Sequence, residues 1–294
     1  MAVTTSVWRY LPILKWKQGE RRALQELSAP QWEKLVPVLE LPGVRAAPDL
    51  AALRAALPAY VAKVRKDMDK AIPEHKPVAI DARWVAPSYA NQLRLLRILC
   101  NALAQDSDRR IIPVLTEAVA NGAVELARFA AFPEVMLRLN VQGIELSQVG
   151  AAVDELHKAG LARRSVHLVL DQQSIVNDDP ATRFVALCPY VDEALKCSVA
   201  SVTVTGGSFP VNLMGMKHGR HRIARVEWQI WRRLVPIPAY ARLRYGDYTV
   251  TNPGPVPDMD PAQVNPSVAI RYAAATEWHV FKAGGFKKGP PDQY

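Results

Sequence analysis

The segment Pro12-Ile13-Leu14-Lys15 decides the fold, because its theme of a proline, two or three aliphatic residues and a polar residue recurs along the chain. The theme returns as Pro37-Val38-Leu39-Glu40, as Pro77-Val78-Ala79-Ile80-Asp81 and as Pro113-Val114-Leu115-Thr116-Glu117. Amphipathic stretches separate the copies, so we interpret the theme as successive strands in a β-α alternation. The polar residue then falls at the carboxyl end of each strand, where α/β folds bind their ligands.

The alternation continues to eight strands. We predict strands at residues 10–15, 35–40, 78–81, 111–116, 135–139, 166–170, 199–205 and 241–245. Helices are predicted at 20–27, 48–70, 89–104, 123–131, 147–159, 180–188 with a ragged continuation to 196, and 223–234. This count predicts a (β/α)8 TIM-like barrel, in which a proline is tolerated at the start of a strand. A doubly wound sheet is the rival, but its glycine-rich first turn is missing, since residues 16–20 contain only Gly19.

The pattern changes after the eighth strand. Residues 252–266 contain five prolines without periodicity, which predicts a long loop. Two short strands at 268–272 and 277–282 predict a C-terminal β-hairpin extension that covers part of the barrel. We therefore expect a barrel at residues 1–250, with residues 251–294 packed on it as loop, hairpin and tail of the same domain.

Composition limits the class of protein. Hydrophobic residues make up 49% of the 294 residues, yet no apolar run approaches the roughly 18 to 20 that span a bilayer. The first ten residues do not resemble a secretory signal, so we expect a cytoplasmic protein without membrane contact. The three cysteines form no CxxC pair and are interpreted as buried thiols.

A net charge of +9 favours phosphate-bearing partners, either a nucleotide or a nucleic acid. The excess is concentrated in Lys217, His218, Arg220, His221, Arg222 and Arg225. One interpretation is a solvated loop and helix face. The other is nucleic-acid contact through Lys217, Arg220, Arg222 and Arg225.

The polar strand ends form the second candidate site. On the barrel interpretation one rim collects Lys15, Glu40, Asp81, Arg83, Glu117, Arg138, Asp171, Thr205 and Asp247. In one interpretation the cations pair with neighbouring acids and close the barrel as a polar plug. In the other, acid/base chemistry falls to Asp81, Glu117, Asp171 and Asp247. The ligand would then be held by Lys15, Lys17, Glu40, Arg83, Arg138, Thr205, Gly206, Gly207, Tyr248 and Arg271, with Gly206-Gly207 offering backbone amides after strand seven.

Familiar catalytic motifs do not occur. The sequence has no HExxH, no GxSxG, no Walker A sequence and no complete GxGxxG. His167 is predicted to lie inside a strand as a hydrogen-bonded core residue. A carboxylate-bound Mg²⁺ stays open as a cofactor, because such a site leaves little trace in sequence.

An ordered set of motifs resembles the phage Beta protein family. The set comprises Tyr10-Leu11-Pro12-Ile13-Leu14-Lys15-Trp16-Lys17-Gln18-Gly19-Glu20 with Ala23-Leu24, then Ser208-Phe209-Pro210, Arg225 with Glu227-Trp228, Gly246-Asp247-Tyr248, Ile270-Arg271-Tyr272, and Trp278 to Gly284. The resemblance covers nearly the whole chain and implies a family of phages, prophages and bacterial defence loci. It implies no catalytic residues.

Together these observations predict a barrel protein of a phage-defence or phage–host conflict system that recognises a phosphate-bearing ligand at the C-terminal rim. The alternative is a non-catalytic, antitoxin-like protein that binds and controls an effector protein encoded in the same operon.

Overall fold

The computed structural model describes residues 8–44, 50–105, 107–116, 123–255 and 267–285. Within them, eight parallel strands close into a barrel. In their order around the barrel these are β1 (Tyr10–Lys15), β2 (Val38–Glu40), β3 (Val78–Asp81), β4 (Ile111–Leu115), β5 (Val135–Asn140), β6 (Val166–Ser174), β7 (Ser201–Gly207) and β9 (Leu243–Asp247). The predicted (β/α)8 barrel is confirmed.

Helices connect the strands along the chain. They are α1 (Gln18–Gln25), α2 (Ala29–Trp32), α3 (Leu50–Ala71), α4 (Gln92–Ala104), α5 (Ala123–Ala127), α6 (Ser147–Lys158), α7 (Pro180–Lys196) and α8 (Val226–Leu234). Short 3-10 turns lie at Arg128–Ala131, Arg163–Ser165 and Pro238–Tyr240. None of the described helices combines the length and apolarity that a bilayer span requires.

The barrel wall is buried on both sides. Leu14, Leu39, Ile80 and Leu115 face the helices and are at most 6% exposed, as the repeated theme predicts. The alternate residues fill the lumen, where Ile13, Val38, Ala79 and Val114 join Trp8 and Tyr248 in one apolar cluster. Side chains alternate along a strand, so the theme places its apolar residues on both faces and its last residue in the lumen.

Two of the theme's prolines lie inside strands, as the predicted strand bounds 10–15 and 111–116 place them. Pro12 pairs with Asp247 within β1, and Pro113 pairs with Ile80 within β4. Each proline withholds one ladder donor, a local loss that the closed sheet tolerates. Pro37 and Pro77 do precede their strands.

A three-stranded antiparallel sheet lies outside the barrel; we call it the small sheet. Its strands, in spatial order, are β10 (Ser267–Ala273), β11 (Glu277–Gly285) and β8 (Gly219–Ala224). The predicted hairpin is β10 and β11. The basic stretch was expected to be a loop and helix face, but its core is strand β8, and α8 begins only at Val226. The period-two alternation of Arg220 and Arg222 with His221 and Ile223 was the overlooked signal.

The small sheet belongs to the C-terminal face of the barrel. Strand β8 follows β7, and the hairpin follows β9, so all three strands arise from segments that leave barrel strands at their carboxyl ends. Its inner face buries Trp278 and Val280 against Phe209 and Leu213. In TIM barrels this face carries the binding sites.

Candidate functional site

Arg138 occupies the centre of the barrel mouth and is 1% exposed. Its Nη1 donates to Glu40 Oε1 at 2.9 Å and to Asp81 Oδ2 at 2.7 Å, and its Nε donates to Asp171 Oδ2 at 2.8 Å. The three carboxylates come from β2, β3 and β6. One guanidinium therefore ties together strands from both halves of the barrel.

Two further cations complete a charge cluster. The Lys15 ammonium forms an ion pair with Glu40, and Arg83 Nε donates to Asp81 Oδ2 at 2.9 Å. Strand register explains the first pair, since Lys15 lies opposite Glu40 and Glu40 opposite Asp81 in neighbouring ladders. With Arg138 and Asp171 the cluster holds three cations and three carboxylates, so its formal charges cancel.

Tyr248, the residue after β9, is fully buried and covers this cluster. Its phenol donates to Asp171 Oδ2 at 2.5 Å and accepts a hydrogen bond from Arg138. Burial raises the pKa of the phenol well above its usual value, so it stays protonated and can donate. Asp171 also accepts from the backbone N–H of Gln173 at 2.8 Å, and Gln173 has a φ of 53° in the left-handed region.

Electrostatics keep Asp81 and Arg138 ionised. Burial by itself would raise the pKa of Asp81, but Arg83 and Arg138 outweigh it and hold that pKa below its usual value. Burial would likewise lower the pKa of Arg138, but the surrounding acidic groups raise it well above the usual value. For Lys15 burial dominates and lowers the pKa, and the carboxylate of Glu40 opposes the shift. A buried cluster of this kind is stable only while all its members are paired.

A short segment after β9, residues 249–255, covers the mouth; we call it the strap. Lys15 Nζ donates to the carbonyl oxygen of Pro253 at 3.0 Å. A Cβ built on Gly207 would stand 2.8 Å from two ring carbons of Pro253, and one on Gly206 would stand 3.0 Å from Ile175. The Gly206-Gly207 pair thus permits close packing of the strap. Pro253 and Ile175 occupy the space next to the two glycines, where a ligand was predicted.

A cavity of about 140 Å³ opens beside the cluster, between the ends of β3 and β4 and helix α4. Asp81, Arg83, Gln92 and Thr116 contribute its polar lining, and Arg83 is the cluster cation with the most exposed side chain, at 19%. The predicted acid/base residue Glu117 follows Thr116 but lies outside the described residues.

Asp247 is not part of the charge cluster. It lies on the opposite side of β9 from Tyr248, because successive side chains alternate. Its carboxylate accepts from Tyr10 Oη at 2.7 Å, from Tyr245 Oη at 2.9 Å and from Arg225 Nη2 at 3.3 Å. Neither tyrosine was predicted as a site residue.

Arg225 joins this second cluster to the small sheet. Its Nη1 donates to the carbonyl oxygen of Ala274 at 3.0 Å, and its guanidinium lies 4.5 Å from the ring of Trp278. Its Nε lies 3.3 Å from Glu227, whose other carboxylate oxygen accepts from Ser208. The side chain of Arg225 is 11% exposed, so most of its donors face the protein.

Glu227 is a buried acid that was not predicted as a site residue. Burial raises its pKa to about 7, the hydrogen bond from Ser208 opposes the shift, and Asp247 adds to it. Its position two residues after Arg225 at the start of α8 gives no sign of burial. Its burial, at 3% exposure, arises in the folded chain beside Ser208 and Arg225.

The other basic residues of the stretch are exposed. Lys217, Arg220 and Arg222 all have exposed side chains. Arg220 Nη2 donates to His279 Nδ1 at 3.0 Å, and Arg222 lies 3.7 Å from Glu277 with its side chain 62% exposed. The structure thus separates the four predicted nucleic-acid residues into three on the surface and one, Arg225, at the junction with the barrel.

The remaining predicted ligand residues are scattered around the rim. Lys17 is exposed before α1, and Thr205 is 1% exposed in β7. Arg271 lies on the barrel side of the small sheet, where it donates to the carbonyl oxygen of Val250 at 3.2 Å and stacks 5.0 Å from Phe209. Among the described residues, none of these three side chains forms a hydrogen bond or ion pair with a side chain of the charge cluster.

Metal ligation finds no support in the part of the chain that the structure describes, where no three His, Cys, Asp or Glu residues group as a metal site. The position among Glu40, Asp81 and Asp171 is filled by the guanidinium of Arg138. His167 is a core residue, as predicted, with its Nδ1 2.8 Å from Ser201 Oγ.

Comparison with known proteins identifies a family. None of the curated proteins matches the chain. The model of one family, described as Beta protein, matches residues 10–294. This span includes all eight barrel strands and the small sheet, so the chain belongs to the Beta protein family.

Proposed function

We propose that the protein binds a phosphate-bearing ligand, a nucleic acid, at the C-terminal face of its barrel through the basic residues of the small sheet. The observation that carries the proposal is the exposure of Lys217, Arg220 and Arg222 on segments that follow barrel strand β7. Exposed cations on one surface neutralise phosphates and release their counterions. The net charge of the whole chain, +9, is opposite in sign to that of phosphate.

The charge cluster is a poor receptor for phosphate. Its three carboxylates already balance its three cations, and Glu40, Asp81, Arg138 and Asp171 are at most 2% exposed. A phosphate placed there would add negative charge next to the three acids. We therefore assign the cluster the task of closing the barrel mouth, which was the polar-plug interpretation.

Arg225 serves a different purpose from its exposed neighbours. Its contacts with Glu227, Asp247 and Ala274 hold the small sheet on the barrel. We propose that it positions the basic strand without contacting the ligand.

We propose phage–host conflict as the biological setting. The support is the resemblance of the ordered motifs to a family of phages, prophages and bacterial defence loci. Cells expressing the wild-type chain should resist phage more than cells expressing Arg220→Ala/Arg222→Ala. Equal plaque numbers at equal protein levels would argue against a defence role for this surface.

Salt-dependent binding tests the ligand class. Fluorescence anisotropy with labelled single-stranded and duplex oligonucleotides should give a linear fall of log K with log salt. Arg220→Ala/Arg222→Ala should reduce the magnitude of the slope by about 1.4 to 1.8, or roughly 0.7 to 0.9 per lost phosphate contact. Arg232→Ala/Arg233→Ala removes the same charge from exposed sites on α8 and is the matched control. Absence of salt-dependent binding to every probe would refute the proposal.

A second candidate is the non-catalytic, antitoxin-like protein that controls an effector. Pairing of Asp81 and Asp171 within the charge cluster favours it, because neither carboxylate is free for proton transfer. Purification with tagged proteins from the same operon should then give a stable stoichiometric complex. Recovery of the chain alone, together with salt-dependent nucleic-acid binding, would favour the first candidate.

A further inference from the structure

We infer that the outer face of the small sheet is a platform for single-stranded nucleic acid, on which bases stack against Tyr272 and Phe281 beside a phosphate-binding edge formed by Arg220 and Arg222. The inference rests on the proposed nucleic-acid binding and adds the form of the ligand and the residues that distinguish it. The outer face consists of Arg220, Arg222, Ile270, Tyr272, Glu277, His279 and Phe281.

Strand register arranges this face in two rows. Ile270 lies opposite Phe281, which lies opposite Arg220. In the next row Tyr272 lies opposite His279, which lies opposite Arg222. The rows are two residues apart along the strands, or about 7 Å. Each row therefore runs from an apolar or aromatic side chain on β10, across a ring on β11, to an arginine on β8.

Two rings and the aliphatic side chain of these rows are open to solvent, whereas His279, which Arg220 and Tyr272 contact, is only 7% exposed. Ile270 is 65% exposed, Tyr272 50% and Phe281 41%. The opposite face of the same strands is buried, since Trp278 is 2% exposed and Val280 is fully buried against the barrel. A sheet with one face packed on a core usually presents polar residues on the other. Large exposed apolar side chains on this face are the mark of an interaction surface.

The arginines are held beside the rings. The guanidinium of Arg220 lies 5.7 Å from the ring of Phe281 and donates to His279 Nδ1 at 3.0 Å. The ring of His279 lies 5.1 Å from that of Tyr272. If the bases of a single-stranded nucleic acid cover the rings, its phosphates lie along β8, where the side chains are arginines.

The positive charge of this face favours a polyanion as its ligand. The face carries Arg220 and Arg222 against the single acid Glu277, and Lys217 lies just before the start of β8. Duplex DNA hides its base faces in the helical stack, so it could use the arginines but not the rings. Unpaired bases offer a ring face at every nucleotide, and stacking on aromatic side chains is how single strands are bound without sequence preference.

Binding of an oligothymidylate and an oligouridylate of about 12 nucleotides, compared with a duplex of the same length, tests the inference. We expect both single strands to bind more tightly than the duplex. Tyr272→Leu and Phe281→Leu should each weaken single-strand binding by about tenfold and leave the salt slope unchanged, because the phosphate contacts remain. Tyr272→Trp and Phe281→Trp should retain binding, which separates stacking from a folding defect.

Glu277→Gln provides an independent variant. It removes the acid of this face, so we expect tighter binding of the same single-stranded probe at low salt. Equal affinity for duplex and single strand, or unchanged affinity in both leucine variants, would overturn the platform and leave the proposed nucleic-acid binding intact. Absence of salt-dependent binding to all probes would overturn both the platform and the proposed nucleic-acid binding. In that case, a protein that binds wild type but not the leucine variants would identify the face as a protein interface.

Discussion

Replacing Arg138 with methionine is expected to destabilise the barrel more than any other single loss of charge at its mouth. Methionine has nearly the length of arginine and no charge, so the change removes the guanidinium and leaves the lumen filled. The cluster then holds two cations, Lys15 and Arg83, against three carboxylates. Asp171 loses its nearest cation, since its ion pair is with Arg138.

The magnitude follows from the geometry. Arg138 lies within 2.7 to 2.9 Å of one oxygen of each carboxylate, and each contact is buried. Unit charges about 4 Å apart attract by about 4 kcal/mol at an effective dielectric constant of about 20, but desolvation cancels most of this sum. Breaking a buried pair costs about 3 to 5 kcal/mol, because the remaining charge is stranded. For a chain of this size we expect a fall in melting temperature of roughly 6 to 15 °C.

Urea denaturation followed by circular dichroism measures the loss directly. Arg94→Met removes an exposed arginine on α4 and should change the free energy of unfolding by less than about 0.5 kcal/mol. Arg138→Met/Asp171→Asn restores the charge balance at two cations and two carboxylates, so it should be more stable than Arg138→Met alone. A double-mutant cycle then gives the coupling energy. If Arg138→Met unfolds together with wild type, the cluster does not hold the barrel closed.

Three further outcomes follow from the same contacts. Glu227→Gln should flatten the pH dependence of stability: a pKa raised from 4.5 to about 7 stabilises the fold at low pH, so the wild type loses up to about 3 kcal/mol as pH rises through this interval, and denaturation at about pH 5 and about pH 8 shows the difference. Gly207→Ala should destabilise the fold by about 1 to 3 kcal/mol, because its Cβ meets Pro253 at 2.8 Å, whereas Gly19→Ala, with open space around it in α1, should stabilise by up to about 1 kcal/mol; equal melting temperatures would contradict this. Tyr248→Phe removes hydrogen bonds to two charged groups and should cost about 1.5 to 3 kcal/mol in the same denaturation assay, and a neutral result would show that the phenol does not seal the cluster.

The strands and their order in the barrel were readable from local sequence. The theme that begins at Pro12 marks four strands, the alternation of strands and helices after it completes the count of eight, and the period of the theme places Leu14 and Leu39 toward the helices. The same period places Lys15, Glu40 and Asp81 in the lumen, since residues with the same phase in parallel strands share a face. The position of each strand and the face to which its side chains point depend on residues that are neighbours in the chain, so they can be predicted from the sequence.

Two features depended on pairing that local sequence does not display. The basic stretch had the alternation of a strand, but an isolated strand has no stability of its own, and only pairing with β11 makes Arg220 and Arg222 part of a sheet. Asp247 is the last residue of β9 and Tyr248 follows it, and the direction of the Asp247 side chain was settled by the phase of β9 against β1.

Sequence alone therefore determined the barrel, its packed wall and the polar rim, because periodicity encodes which side of an element is buried. Tertiary structure decided what the rim does with its charges. Arg138 and Glu40 are 98 residues apart, and nothing near either one says that they meet. Closure of the barrel brings them within hydrogen-bonding distance, and the folding of the last strands onto β8 creates the exposed face of Tyr272 and Phe281. Both depend on contacts between distant segments, which form only when the whole chain has folded.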